Sequence, residues 1–248
     1  VYSALVGQGR SWVSVYWIFA LLAAIMIAVV WVAPLPRAPR TEEERAGTLA
    51  AHVTLARGRV VPIYFVSIFM YVGSEQGIAN WMSQFLATYH QVDARTAGAD
   101  AVSVFWGLMT VGCLIGLLLL KLFDSRRVLI VHSVLAIGLL ALALFGDGRI
   151  AVLAFPAIGL TLSVMWPIIM SLALNSVPSQ HGTVSGILCT GIVGGAFVPL
   201  LVGRVGDRFG LRLGMSLLFV TLAWVFAIGL WAKPLVKNET GFSRQKAC

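Results

Sequence analysis

The fold of this chain is decided by residues 60–88, which read VVPIYFVSIFMYVGSEQGIANWMSQFLAT. The run is long enough to cross a bilayer, which takes about 20 residues of α-helix. Glu75 lies near its middle and is the only acidic residue inside any membrane-length apolar run of the chain. An ionisable group at that depth is costly unless it is paired or hydrated, so it indicates function. We therefore expect this helix to line a water-filled path.

Composition places the rest of the chain in a membrane as well. Of the 248 residues, 59% are hydrophobic and 11% are charged, and the mean hydropathy is +0.90, which is too apolar for a soluble domain. Apolar stretches of spanning length occur at residues 12–33, 60–88, 101–120, 128–145, 150–174, 184–202 and 211–231. The sequence predicts an all-α integral membrane protein with seven transmembrane helices.

The net charge of +8 is distributed as in a membrane protein and does not indicate nucleic acid binding. The basic residues fall between the spans and at the tail, where they orient helices in a bilayer. One set of loops carries twelve of the eighteen Lys and Arg residues, which predicts a cytoplasmic C-terminus. The opposite side carries Arg204, Arg208 and Arg212, which do not fit this distribution.

The longest polar interval, residues 34–59, begins with three prolines and separates one helix from the remaining six. Thr41 and Glu44 have the spacing of a capping box, so residues 42–55 form either a short helix beside the membrane or a flexible linker. Either form marks a boundary between two bundles. The chain opens abruptly just ahead of its first span, and we expect a fragment whose earlier helices are missing.

A stripe of amides on the second span is the main candidate binding surface. Gln76, Asn80 and Gln84 are four residues apart and so share one helix face. Amides offer donors and acceptors without charge, which suits a polyhydroxylated ligand, and Trp81 could supply a flat apolar face. Hydrogen bonding between helices is the alternative role for these amides. Glu75 lies on another face and is either a proton carrier or a structural anchor.

Prolines in the fifth and sixth spans predict bending, and glycine pairs in several spans predict close packing. Pro167 leaves the carbonyl of Ser163 without its usual donor, and Pro199 does the same for Gly195. Such kinks expose polar backbone toward a cavity, so Trp166 is a candidate ligand-stacking residue, with an ordinary lipid-facing tryptophan as the alternative. Small residues at four-residue spacing predict close helix contacts, at Gly73 with Gly77, Gly112 with Gly116, Gly182 with Gly186, and Gly191 with Gly195.

Other classes of membrane protein fit less well. The spans hold none of the motifs of a membrane enzyme, such as His-Glu-x-x-His or Gly-x-Ser-x-Gly, so no catalytic residue, metal site or cofactor is predicted. A retinal protein needs a lysine in its last helix, and residues 211–231 contain none. His132, a lone histidine in the fourth span, is expected to be a packed hydrogen-bonding residue.

Three motifs carry a further signal: YVGSEQGIANW at residues 71–81, MWPIIMSLAL at 165–174 and SGILCTGIVGGAFVPL at 185–200. They resemble helices seven, ten and eleven of the fucose/galactose/glucose:proton symporters of the major facilitator superfamily. The chain would then comprise the last helix of the N-terminal half at 1–33, the central cytoplasmic loop at 34–59 and the C-terminal six-helix half at 60–248.

The resemblance implies proton-coupled sugar transport across a cell membrane, with a bacterial inner membrane expected. A sugar cavity would lie between the two halves and open alternately to each side. By position, five residues would approach that cavity or its gates: Glu75, Gln76, Asn80, Trp166 and Asn175. The motion would be permitted by the two proline kinks and by the close packing of Gly191, Gly194 and Gly195. The family's coupling acids are expected in the N-terminal half, outside this chain. The alternatives are export of another solute or a non-transporting fragment.

Overall fold

The computed structural model describes residues 13–33 and 49–235, and every regular element within them is helical. The chain divides into two compact units, residues 1–41 and residues 42–248. The described part of the first unit is helix α1, Ser14–Val32. Its side chains from residue 16 to residue 32 are all exposed. A helix this apolar on every side needs lipid or other helices to cover it.

The described part of the second unit contains helices α2 to α11. They are α2 Leu49–Arg57, α3 Val60–His90, α4 Ala97–Leu122, α5 Ser125–Phe145, α6 Gly148–Leu162, α7 Met165–Leu174, α8 His181–Thr190, α9 Gly194–Phe209, α10 Leu211–Ser216 and α11 Leu218–Trp231. A short 3-10 turn, Gly191–Val193, joins α8 to α9. The pairs α6 with α7, α8 with α9, and α10 with α11 each form one apolar span.

Each of the seven apolar runs predicted from the sequence is helical over most of its described residues. Five spans of the described chain are long and apolar enough to cross a membrane, namely Ala97–Leu122, Ser125–Phe145, Gly148–Leu174, His181–Phe209 and Leu211–Trp231. Helix α1 is apolar but shorter. Helix α3 is the longest described helix at 31 residues, about 46 Å, but its polar middle makes it less apolar than those five.

The short connections are fixed by local capping. Asp124 accepts hydrogen bonds from the backbone N–H groups of Arg126 and Arg127, and so begins α5. Asp147 accepts from Ile150 N at 2.9 Å and begins α6 in the same way. An acceptor at this position satisfies N–H groups that have no partner inside the helix. Both helices thus begin directly after short connections, and α6 packs against both α4 and α5.

The predicted boundary at residues 34–59 is described only from Leu49 onward, because residues 34–48 lie outside the described residues. Helix α2, Leu49–Arg57, overlaps the second half of the helix predicted at residues 42–55. A helix therefore occupies the end of this interval.

Helix α3 is the centre of the second unit and packs against α4, α6, α7, α8, α9 and α11. Six of its large side chains are wholly buried: Tyr64, Ile68, Ile78, Met82, Phe85 and Leu86. A helix surrounded in this way contacts little lipid, and this explains how it can carry polar side chains.

Close glycine contacts occur at three of the four predicted pairs. A Cβ on Gly73 would press on Val198 and one on Gly77 would press on Leu218, while Gly112 lies against the backbone of α6 at Leu160. The prediction is wrong for Gly186, which is exposed and has nothing within 4 Å of where its Cβ would be. Spacing alone does not tell which face of a helix meets a neighbour.

The two predicted proline kinks have different outcomes. The span with Pro167 is broken at Ser163 and Val164, four and three residues before the proline, as its missing N–H predicts. The other span stays α-helical through Pro199 from Gly194 to Phe209, and its irregular part is the 3-10 turn at Gly191–Val193. The kink expected at Gly195 is therefore displaced into the turn before it.

Candidate functional site

A groove of about 800 Å³ lies between the C-terminal half of α3 and helix α9. We call it the polar groove. Its lining residues are Asn80, Trp81, Gln84, Thr88, Tyr89, Pro199, Leu200, Gly203, Gly206, Asp207, Gly210 and Leu211. The lining combines amides, a carboxylate and two aromatic rings, which is the mixture found in sites for polar small molecules.

The predicted amide stripe runs along this groove and continues toward the middle of α3. Asn80 and Gln84 are exposed, so their polar atoms are available to a ligand. Gln84 donates from Nε2 to Oγ1 of Thr88 at 3.3 Å, a bond that a ligand could exchange. Gln76 is half-buried and packs beside Gly195. The stripe therefore leads from the open groove into the packed middle of the bundle.

Trp81 joins the two walls of the groove. Its indole N–H donates to the carbonyl oxygen of Pro199 at 2.9 Å, and its ring lies over Gly203, where a Cβ would come within 2.6 Å of the ring. The absence of a side chain at Gly203 lets the ring approach α9 closely. Trp81 is therefore a fixed wall of the groove, with its N–H already bonded.

Glu75 lies one turn before Asn80 and binds two neighbours on its own helix. Tyr71 donates its hydroxyl hydrogen to Oε2 of Glu75 at 2.6 Å, and Gln76 donates from Nε2 to Oε1 at 3.3 Å. The Tyr71 hydroxyl also lies 3.1 Å from the carbonyl oxygen of Leu162 at the end of α6. The acidic group is thus connected to the broken span through one tyrosine.

The break in this span, at Ser163 and Val164, has its carbonyl groups satisfied by side chains from three helices. We call it the helix break. The last carbonyls of a helix have no partner within it. The carbonyl of Thr161 accepts from Nδ1 of His132 at 3.0 Å, that of Leu162 faces Tyr71, and that of Ser163 accepts from the thiol of Cys113 at 3.5 Å.

Two further carbonyls of the same turn are satisfied locally. Gly159 accepts from the backbone N–H of Ser163 at 3.2 Å, and Leu160 accepts from its hydroxyl at 2.8 Å. A carbonyl can only accept, so Nδ1 of His132 carries the hydrogen in its bond to Thr161. Every carbonyl from 159 to 163 has a donor in reach, which makes the helix break a built feature of the fold.

The remaining predicted site residues lie away from the polar groove. Trp166 is half-buried just after the helix break and packs against the core. Asn175 ends α7, where its side chain donates to Ser171 at 3.4 Å and its carbonyl accepts from Leu235 N at 2.8 Å. The next residue bonds Tyr64, which is 16 residues or about 24 Å along α3 from Asn80. Asn175 and the groove are thus at opposite ends of the bundle.

The sequence reasoning missed three groups of this region. Asp207 is exposed in the groove wall. Arg212 stacks over the Tyr89 ring at 4.7 Å and donates its backbone N–H to the Tyr89 hydroxyl at 3.1 Å, which joins α10 to the end of α3. The thiol of Cys113 in the middle of α4 donates to the helix break, and no motif in the sequence indicates this contact. The sequence signal for Asp207 and Arg212 was the basic cluster from Arg204 to Arg212, which is predicted to lie on the side opposite to most of the Lys and Arg residues.

A family model of the Major Facilitator Superfamily matches residues 1–197 of the chain. The chain belongs to this superfamily. Its place there confirms the predicted resemblance, the membrane location and the prediction that the chain is not an enzyme. The solved structure of FucP, a Major Facilitator Superfamily transporter in the outward conformation, superposes with a TM-score of 0.77 at 20% identity, over 90% of this chain and 55% of that one. This match shows a shared fold.

Three curated transporters are similar to part of this chain. A glucose/galactose transporter of Brucella abortus is 36% identical over 166 residues, which cover 66% of this chain and 40% of the relative. A putative glucose/galactose transporter of Helicobacter pylori is 28% identical and the L-fucose-proton symporter of Escherichia coli 23%, each over 77% of this chain and 45% of the relative. The chain spans less than half the length of these relatives.

Proposed function

We propose that this chain is the C-terminal part of a secondary active transporter that carries a hexose such as fucose, galactose or glucose by proton symport. The observation that carries the proposal is the polar groove, whose lining includes the exposed side chains of Asn80, Gln84 and Asp207 together with Trp81. The relatives named for sugar transport support the same substrate class.

The groove has the chemistry that a neutral sugar requires. Each amide of Asn80 and Gln84 can donate and accept, and Asp207 can accept from two hydroxyl groups. The rings of Trp81 and Tyr89 offer apolar surface to the C–H faces of a pyranose. The volume, about 800 Å³, is within the range of small-molecule sites.

The exposed side of the groove would face the other half of the transporter. In this arrangement residues 1–33 supply the last helix of the N-terminal half, residues 34–59 form the central cytoplasmic loop, and residues 60–248 form the C-terminal half. The missing N-terminal helices would complete the cavity. The sugar would bind near the middle of the bilayer while rocking of the halves opens it to either side. The C-terminus would then lie in the cytoplasm, in a bacterial inner membrane.

The parts of this half that move would be the helix break and the turn Gly191–Val193. A broken helix can bend at the break because its backbone groups there are held by side chains instead of by the helix. Trp166 follows the helix break, and Gly194 and Gly195 follow the turn. All three residues would therefore shift when the groove closes. Asn175, at the far end of α7, would belong to the opposite gate.

Uptake by cells expressing the complete transporter tests the proposal. Labelled fucose, galactose and glucose are offered with and without a protonophore. Accumulation of one of them that collapses with the protonophore is expected. No accumulation of any, with the protein present in the membrane, would contradict the proposal and point to another solute or to export.

Asn80→Ala tests the role of the groove. The variant should raise the KM for the sugar about twofold to tenfold, because a neutral hydrogen bond contributes about 0.5–1.5 kcal/mol and about 1.4 kcal/mol is a factor of ten. Thr110→Ala is the matched control, since Thr110 is exposed on α4 and bonds only the carbonyl of Trp106 in its own helix. Equal KM values for the two variants would place the ligand elsewhere.

A further inference from the structure

The Tyr71 hydroxyl has one hydrogen and faces two acceptors. Oε2 of Glu75 is 2.6 Å away and the carbonyl oxygen of Leu162 is 3.1 Å away. Tyr71 and Leu162 are both buried, so water does not replace a missing partner easily. A phenolic hydroxyl can donate once and accept as well. Which acceptor receives the hydrogen therefore depends on what Glu75 itself can do.

The two protonation states of Glu75 give different bonding. An ionised carboxylate only accepts, so the Tyr71 hydrogen goes to Glu75 in a charge-assisted bond and the Leu162 carbonyl loses its donor. A protonated carboxyl can donate to the Tyr71 oxygen, which frees the tyrosine hydrogen for Leu162. Only the protonated state satisfies all three groups in the geometry described here.

We propose that Tyr71 is a positioning residue that couples the proton on Glu75 to the shape of the helix break. The inference rests on the proposed proton symport and deepens it, because it assigns a proton-sensing site to this half of the transporter. When Glu75 loses its proton, the buried carbonyl of Leu162 is left without a donor, at a cost that favours rearrangement of the break. When the proton returns, Tyr71 again holds the end of α6.

Glu75 is the group best placed to control this switch. Its hydrogen-bond partners are Tyr71 and Gln76, and the thiol of Cys113 on α4 donates to the nearby carbonyl of Ser163. His132 on α5 reaches the same break through Thr161. Glu75 itself is in the middle of α3.

Apart from Cys113 on α4, the charged and titratable groups of the other helices packed on α3 lie toward the ends of the helices or apolar spans, and α7 and α11 carry none. They are His52 and Arg57 on α2, Asp100 and Lys121 on α4, Arg149 on α6, His181 and Cys189 on α8, Arg204, Asp207 and Arg208 on α9, and Arg212 on α10.

Distances measured across the helix break test the inference in the complete transporter. Spin labels are placed at the exposed positions Leu153 and Ser171, on either side of the break. The labels are carried by unnatural amino acids, so that Cys113 need not be replaced. The control pair, Ser103 and Lys121, has the same spacing on the unbroken helix α4. The first distance should change with pH and the second should not.

Infrared difference spectra of the same protein follow the proton. The carboxylic C=O band that disappears in Glu75→Gln is assigned to Glu75, and its titration should have the same midpoint as the distance change. In Glu75→Gln the amide can donate to Tyr71 permanently, so the distance should stay at its low-pH value at every pH. In Tyr71→Phe the band should still titrate while the distance no longer follows it.

Two results would overturn the coupling role of Tyr71. One is a pH-dependent distance that persists in Tyr71→Phe with the same midpoint. The other is a pH-dependent distance in Glu75→Gln, which tests the idea even if Tyr71→Phe does not fold. Failure of the proposed function is a separate result, because sugar uptake that ignores a protonophore would refute proton symport while leaving the distance measurements unaffected.

Discussion

Gly194→Ala should separate two helices that now touch. Gly194 is the first residue of α9 and lies against the backbone of α3 at Phe69. A Cβ there would be 2.7 Å from the carbonyl carbon of Phe69, 2.8 Å from its Cα, and closer still to its oxygen. Carbon atoms prefer a separation of about 3.5–4.0 Å, so α9 must move by about 1 Å. The backbone of Phe69 cannot relieve this contact by a change of rotamer, as a side chain could.

The cost follows from this displacement. Overpacking of a well-packed core typically costs about 1–3 kcal/mol. In a chain of this size each kcal/mol lowers the melting temperature by about 2–4 °C. We therefore expect Gly194→Ala to lower the apparent Tm by several degrees. The drop should also reduce transport, because the 3-10 turn directly before Gly194 would shift with the helix.

Gly186→Ala is the matched control, because both changes add one methyl group to the same apolar span. Gly186 lies in α8, is exposed and has nothing within 4 Å of the new Cβ. Alanine favours the helix over glycine by up to about 1 kcal/mol, so this variant should be unchanged or more stable. The assay is the fraction of monodisperse protein that survives heating in detergent. If Gly194→Ala melts no lower than Gly186→Ala, the close approach of α9 to α3 is not as described.

Two further variants test single hydrogen bonds by the same melting assay. His132→Leu removes the donor to the buried carbonyl of Thr161 and should cost about 1–3 kcal/mol, whereas an unchanged Tm would mean that the helix break does not need this cap. Trp81→Phe keeps a ring over Gly203 but loses the bond to Pro199, so it should cost about 1 kcal/mol and less than Trp81→Ala; an unchanged Tm in Trp81→Phe would assign the stabilisation by Trp81 to ring packing alone.

The helices and one of the breaks could be predicted from the sequence because their causes are local. Hydropathy over a span and the missing N–H of Pro167 act within a few residues of where they are read. The second irregularity could not, because the turn Gly191–Val193 forms where the chain packs on Phe65 and Ile68 of α3. Its position depends on a neighbour that no local pattern identifies.

The candidate site was predictable to the same degree. The stripe of Asn80 and Gln84 follows from helical period alone, and the structure places both at the groove. Asp207 could not be paired with them because sequence spacing does not tell which helices are adjacent. Cys113 was missed for a related reason, since its thiol matters only through a carbonyl 50 residues away. The ligand-lining role of the amides stays a prediction.

Helix α3 carries two polar regions that the proposed transport cycle would link. Near its middle, Tyr71 bonds both Glu75 and the broken span, and farther along the helix Asn80 and Gln84 line the groove. Such a helix is too polar to face lipid along its length, and the surrounding helices cover most of its surface. Because both regions share one rigid helix, a movement that repacks the helix break would also move the wall of the groove. Proton and sugar would then be linked through α3 itself, without direct contact between them.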